Sequence, residues 1–394
     1  MEFKTSDNLS QKKKALAWLA GGHFVNDIYT GILNPIMPFV AAKIGISMGF
    51  ATVILTVSHI FSSLLQPIFG FFADSITKRS FIFWGLLMSV CFIPLAVTTN
   101  NIWLLITLIV FGSIGSSLFH PQALGLTSFF SKNMNAGKYV AIFLAMGTLG
   151  YSSGPVVSSA ITQFLGMDMM PCMSIIGIAW AILMFKFVPK ISKIVKIDKP
   201  DFKEAFKKIL SNRKLNILNI VAMLKTMVQS SCFILLPFLW KSFGHKPVYI
   251  GIALFGFIFA GGIASLTSPF VERKIGTQNV FYLSMIAPAP LMFLFLYLSK
   301  SYPITSLLIF VIIGFIIMLA TPVTMLMAQN VLPEYKSIIS GFINGFSWGV
   351  IAIIMSLLGF VAEKLGIINV LSVVAIIPAL CAFMTRELFK SDKV

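Results

Sequence analysis

The chain has 394 residues, 57% of them hydrophobic and 11% charged, with a mean hydropathy of +0.92. A soluble domain is roughly a quarter charged, so a water-borne globular protein is excluded and an integral membrane protein is expected. The formal charge of +17 would suit nucleic acid on a soluble protein. On a chain this apolar it marks loops at a cytoplasmic face, and no nucleic-acid partner is expected.

A bilayer core needs about 20 apolar residues per helix, and twelve stretches qualify. The first, 15–42, follows the basic patch Lys12 to Lys14. It continues past Val40 without a small-residue cleavage site, so it reads as an uncleaved membrane helix rather than a signal peptide. His23, Asn26 and Asp27 lie within it, and the four-residue spacing of His23 and Asp27 puts them on one helix face. The others are 47–73, 81–99, 102–129, 138–164, 168–188, 215–241, 247–270, 279–299, 303–327, 337–362 and 366–385.

With both termini in the cytoplasm, 24 of the 30 Lys and Arg fall on the inner side and 5 on the outer, while Lys225 lies inside a span. That asymmetry orients the chain. The single long hydrophilic stretch follows the sixth span. Its 203–210 part, "KEAFKKIL", reads either as an amphipathic helix on the inner face or as a solvated basic connector.

Around this linker the two halves echo one another. "IMPFVAAKIGIS" at 36–47 matches "LLPFLWKSFGHK" at 235–246, and "TQFLG" at 162–166 matches "AEKLG" at 362–366. The expected build is therefore an all-α integral membrane protein with twelve transmembrane helices in two pseudo-symmetric six-helix bundles. These occupy 1–188 and 215–394 and are joined by the basic cytoplasmic linker 189–214.

Ionisable groups at bilayer depth cost about 2.5–3.5 kcal/mol each on insertion scales, so the few present are informative. Of the 13 acids only Asp27 lies deep in a span. It sits roughly 18 Å along its helix from Ala15, near the midplane. His59 and Lys225 reach similar depths from opposite sides, and the repeat sets Lys225 opposite Asn26, where it would pair with Asp27.

Asp27, His23 and His59 are the candidates for proton coupling. Lys225, Asn26, Tyr29, Gln66 and His120 are the candidates for substrate contact. His120-Pro121 reads as a hinge or a cavity lining, or as a tolerated kink. No nucleophile elbow, zinc motif, P-loop or dinucleotide fingerprint is visible, and the four Cys show no CxxC spacing. The chain is expected not to be an enzyme and to use no cofactor and no metal.

Gly70, Asp74, Lys78 and Arg79 in "GFFADSITKRS" fit G-x-x-x-D-x-x-x-[RK]-[RK], which resembles the signature loop of the major facilitator superfamily. The resemblance implies a conformational latch there. Ser75 and Thr77 depart from the pattern, and Glu272-Arg273-Lys274 is a degenerate second copy. Gly150, Gly154 and Pro155 in "GTLGYSSGPVVSS" resemble the motif of the superfamily's antiporters, with Ser158 and Ser159 in place of the last glycines. Small residues at this spacing also make a generic close-packing face. The helix-four Arg of many proton antiporters has no counterpart here; by spacing from Gly115 its place is Phe111.

"HFVND", "SSLLQPIFGFFAD" and "GSSLFHP" together resemble the fosmidomycin resistance protein group, which is associated with efflux of small polar compounds. The resemblance implies a gradient-driven, proton-coupled exporter of a small polar and possibly anionic compound. It would work as a monomer in the inner membrane with both termini cytoplasmic. Import or facilitated passage of an organic anion or nutrient is the alternative reading, and a non-transporting membrane receptor is a third.

Overall fold

The computed structural model describes residues 5–66, 68–69, 80–132, 134–189 and 202–389, and no strand occurs among them. The helices are α1 (Thr5–Gly31), α2 (Leu33–Ile44), α3 (Met48–Ser63), α4 (Ser80–Ala96), α5 (Ile102–Ser131), α6 (Ala136–Phe164) and α7 (Ser174–Phe187). After these come α8 (Phe202–Ser211), α9 (Arg213–Ser242), α10 (Pro247–Ile275), α11 (Thr277–Ile286), α12 (Pro288–Leu298) and α13 (Pro303–Val331). The last are α14 (Lys336–Ser340), α15 (Ser347–Leu365) and α16 (Ile367–Cys381). A π-helical segment, Gly341–Phe346, separates α14 from α15.

Nine helical segments among the described residues are long and apolar enough to cross a membrane, and Met48–Ser63 and Ser80–Ala96 are shorter apolar helices. The chain is a multi-pass membrane protein.

The sequence accounts for where these helices start and stop. Asn101, Asn135 and Asn212 cap α5, α6 and α9 by accepting backbone N–H groups of the first turn. Such a cap satisfies donors that have no partner within the helix. The first expected span is broken at Ile32 into α1 and α2. Pro35 lacks the N–H that would bond the Gly31 carbonyl, and its ring crowds that carbonyl.

Two pairs of glycines with positive φ stand about half a chain apart. Gly45 (φ 79°) recurs as Gly244 (φ 82°), and Gly166 (φ 88°) as Gly366 (φ 90°). Only glycine takes such angles without strain.

Contacts divide the chain into two units. The first comprises Met1–Gly45, Val57–Lys196 and Lys246–Phe255; the second comprises Ile46–Thr56, Ile197–His245 and Gly256–Val394. In the first, α1 packs along α6 and α4 along α5, while the start of α10 meets α6 where Val248 N donates to Gln163 Oε1 at 3.1 Å. In the second, α9 packs on α13, α15 and α16. The start of α3 joins α15 in that unit through Gly49 N donating to Glu363 Oε2 at 2.8 Å.

The linker segment "KEAFKKIL" is helical, as one of its two readings expected, and its apolar face is spent on protein. Ile209 is fully buried with Leu215, Tyr335, Ile339, Phe342 and Leu388, and the Phe206 ring meets Phe342 edge-on. On the polar face Lys208 bonds Glu204 at 2.8 Å and the Tyr335 hydroxyl at 3.2 Å. These two partners raise the Lys208 pKa and keep its ammonium charged.

An Ile209→Ala protein is expected to release this helix, since emptying a buried isoleucine costs about 2–5 kcal/mol. Limited proteolysis should then cut around α8 faster while the membrane helices stay protected.

Candidate functional site

Asp27 lies on the face of α1 that meets α5 and α6. His23, one turn earlier, places Nε2 3.2 Å from Asp27 Oδ2, and His120 of α5 places Nε2 3.0 Å from Oδ1. Asn26 Nδ2 donates to Asp27 Oδ1 at 2.9 Å and to Ser116 Oγ at 3.2 Å. Asn26 is fully buried, and its Oδ1 has no hydrogen-bond partner among the described residues.

The outer nitrogens of both imidazoles are committed. His23 Nδ1 is 2.8 Å from the Phe143 carbonyl oxygen, and His120 Nδ1 is 2.8 Å from that of Ser116. A carbonyl only accepts, so each Nδ1 carries hydrogen and donates. Each Nε2 then faces a carboxylate oxygen, and two acceptors facing one another repel. The two gaps become attractive only when protons occupy them. Filled in this way, one carboxylate and two imidazolium rings carry a net single positive charge. The three inward-facing atoms lie within 4.8 Å of one another, close enough to share one cation. The arrangement offers one carboxylate and two ring nitrogens to a shared proton or cation.

The packing that sets this geometry comes from α6. The Phe143 ring stacks on His23 with centroids 4.1 Å apart. A Cβ on Gly147 would overlap the His23 ring, one on Gly150 the Phe24 carbonyl, and one on Gly154 the Ile28 carbonyl. In return, a Cβ on Gly31 would lie 2.7 Å from the Tyr151 carbonyl oxygen and 3.3 Å from Pro155 Cδ. Gly150, Gly154 and Pro155 thus form the surface on which the Asp27-bearing helix rests.

Gly147 and Phe143 escaped the sequence reading. Gly147 could have been found as the continuation of the small-residue row, one turn before Gly150. Phe143 acts through its backbone carbonyl and its ring, and one phenylalanine among many in apolar helices gives no sequence signal of either.

The other expected residues are placed as follows. His120, read as a substrate contact, is brought onto Asp27 as its second imidazole. His59, on α3, lies outside this cluster; its carbonyl accepts from Ser62 Oγ at 3.1 Å. Tyr29 is buried and donates its hydroxyl to the Met173 carbonyl, and Gln66 donates to the Ser62 carbonyl at 2.8 Å. Gly70, Asp74, Lys78 and Arg79 lie outside the described residues.

Phe111 is 47% exposed on α5, whereas Gly112, Ser113 and Ser116 are buried. The Phe111 ring lies against that of Phe92, with centroids 5.9 Å apart. Lys225, drawn from the repeat as the counter-ion of Asp27, belongs to the second unit, where its Nζ donates to Thr321 Oγ1 at 3.1 Å. The positive partners Asp27 has in its own unit are imidazoles.

Comparison with known proteins agrees with this architecture. A family model described as Major Facilitator Superfamily matches residues 19–356. The fosmidomycin resistance protein of Escherichia coli (strain K12) is 26% identical over 382 residues, covering 91% of this chain and 88% of that protein. A probable nitrate transporter, NarT of Staphylococcus haemolyticus (strain JCSC1435), is 27% identical over 226 residues, 56% of this chain and 57% of that one. Among solved structures, a mutant of the nucleoside transporter NupG superposes with a TM-score of 0.76 at 16% identity, covering 95% of this chain and all of that one. With a family model spanning most of its length and transporters as its structural neighbours, this chain belongs to the Major Facilitator Superfamily and is a membrane transporter, not an enzyme.

Proposed function

We propose that the chain is a proton-coupled secondary exporter of a small polar compound, working by alternating access. The observation that carries this reading is the Asp27–His23–His120 cluster. Its two short nitrogen-to-carboxylate gaps, 3.0 and 3.2 Å, become favourable when protonated, and both outer nitrogens are already donating to carbonyls. A buried site that switches charge can bias a two-state protein, because the state exposing it to the proton-rich side is the one that loads it.

In this reading the twelve spans form two six-helix bundles, 1–188 and 215–394, in a monomer. It sits in the inner membrane with both termini cytoplasmic, as the distribution of Lys and Arg favours. His23 and His120 share protons with Asp27, and His59 is a further stop on the proton route. Asn26 and Gln66 meet the substrate from the first half and Lys225 from the second. Tyr29 holds α1 in place, and the 70–79 loop is the latch. The similarity to a protein named for fosmidomycin resistance favours export.

Vesicles of known orientation test the proposal. An imposed pH gradient should drive uptake into inside-out vesicles, and a protonophore should stop it. Equal flux with and without the gradient would sink the reading, as would a gradient-driven flux only in the import direction. Chelator-washed vesicles should transport at the same rate. Loss of flux on chelation, with rescue by a divalent cation, would assign the cluster to a metal ion instead.

A further inference from the structure

We propose that Lys225 is the centre of a binding site for the compact oxyanion head of the substrate, a carboxylate, nitrate-like or phosphonate group. This deepens the transport reading and rests on it for the word substrate.

Lys225 is only 5% exposed, in the middle of α9, the most buried of the long apolar helices. Its ammonium has three hydrogens to donate. One goes to Thr321 Oγ1 at 3.1 Å, and Lys225 makes no ion pair among the described residues. A cation held at this depth without a carboxylate is a large unrelieved cost, and proteins retain such costs where function uses them.

The ammonium also opens onto a cavity. A space of about 70 Å³ is lined by Lys225, Thr226, Gln229, Thr321, Thr324 and Trp348, with aliphatic neighbours. At roughly 10–15 Å³ per enclosed water it holds several waters or one small anion. Every lining residue belongs to the second unit, so the site is complete within it.

The chemistry of the lining selects the ligand. Gln229 is one helical turn beyond Lys225, shares its face and lines the same space, where its amide can turn an N–H group to an anion. The Thr321 hydroxyl accepts from Lys225, and its own hydrogen meets only the Met318 sulfur at 3.8 Å, a weak bond it can give up. The Thr324 hydroxyl is already bonded to the Ala320 carbonyl at 2.6 Å. The donors free for a ligand are two ammonium hydrogens, the Gln229 amide and a rotatable hydroxyl. Donors converging around an ammonium group suit an oxyanion better than a cation. Trp348, Met318 and Ile343 give the lining an apolar part.

The test uses the full chain in nanodiscs of zwitterionic phosphatidylcholine, so that no lipid supplies the anion. Acetate, nitrate and methylphosphonate are titrated against a constant sodium chloride background, with methylammonium as the cationic control. Binding is read as a rise in the unfolding midpoint with ligand concentration.

At least one oxyanion should protect the wild type saturably, and methylammonium should not. Lys225→Met should weaken that binding about tenfold or more, as expected when a charge-assisted hydrogen bond is removed. Thr321→Val should weaken it less, by about threefold to tenfold. Without ligand, Lys225→Met should unfold no earlier than wild type, because it removes an uncompensated buried charge.

Asp27→Asn should bind the oxyanion as wild type does. If wild-type vesicles show no gradient-driven transport while the oxyanion still binds at Lys225, the proton-coupling reading falls and the anion site stands. Unchanged binding in Lys225→Met, equal protection by methylammonium, or no protection by any oxyanion would overturn the anion site.

Discussion

Asp27→Asn vesicles are expected to show no accumulation driven by a pH gradient, while exchange of substrate across the membrane persists. Asparagine keeps the shape and still accepts a hydrogen bond, but it never carries charge. In the native site each imidazole gives a charge-assisted hydrogen bond to Asp27 when protonated, worth about 1.5–3 kcal/mol. Without the carboxylate, the protonated form of each ring loses that hydrogen bond. The rings remain anchored through Nδ1 to the Phe143 and Ser116 carbonyls, so the fold should hold and unfolding should not move earlier. The pairing of lost coupling with retained exchange separates this outcome from simple misfolding. Full gradient-driven transport in Asp27→Asn would remove Asp27 from the coupling mechanism.

Gly150→Ala should be among the most damaging single-carbon changes in the protein. The added Cβ would overlap the Phe24 carbonyl oxygen and sit 2.9 Å from Phe24 Cα. Backbone cannot rotate away as a side-chain end can, so α1 and α6 must separate. The cost should exceed the roughly 1–3 kcal/mol usual for overpacking, and the movement would carry Asp27 and His23 away from His120. The expected result is an earlier unfolding midpoint in detergent together with loss of coupled transport.

Gly125→Ala on α5 is the matched control, because nothing lies within 4 Å of its added Cβ. That change should leave stability equal or raise it by up to about 1 kcal/mol through helix propensity. Equal behaviour of the two variants would show that the α1–α6 contact is not the tight one described.

Much of this site was legible along the chain, and the reasons are physical. Asp27 stands out because a carboxylate in an apolar run is costly, and His23 is tied to it by the period of a single helix. The row Gly150, Gly154 and Pro155 reads as a packing face for the same reason of periodicity. His120 was visible as a polar residue beside Pro121, but its pairing with Asp27 spans 93 residues of sequence and has no local trace. Spacing from Gly115 gave Phe111 as the place of a missing arginine, but not its exposure on α5, which is 47%. For the linker, "KEAFKKIL" left open an amphipathic helix on the inner membrane face or a solvated connector, whereas its helix packs on the Tyr335, Ile339 and Phe342 surface.

From its sequence alone the protein is a chain of apolar stretches with basic loops, a deep carboxylate and a buried lysine. Hydropathy, charge and helical period are local properties, and burial in a bilayer depends on them segment by segment. Which groups face Asp27, which hydrogen each imidazole gives away, what the glycine row rests on, and that Lys225 opens onto a donor-lined cavity were decided by the tertiary structure. Those features depend on the rotation and closeness of one helix against another, which is set by side-chain packing summed over distant parts of the chain.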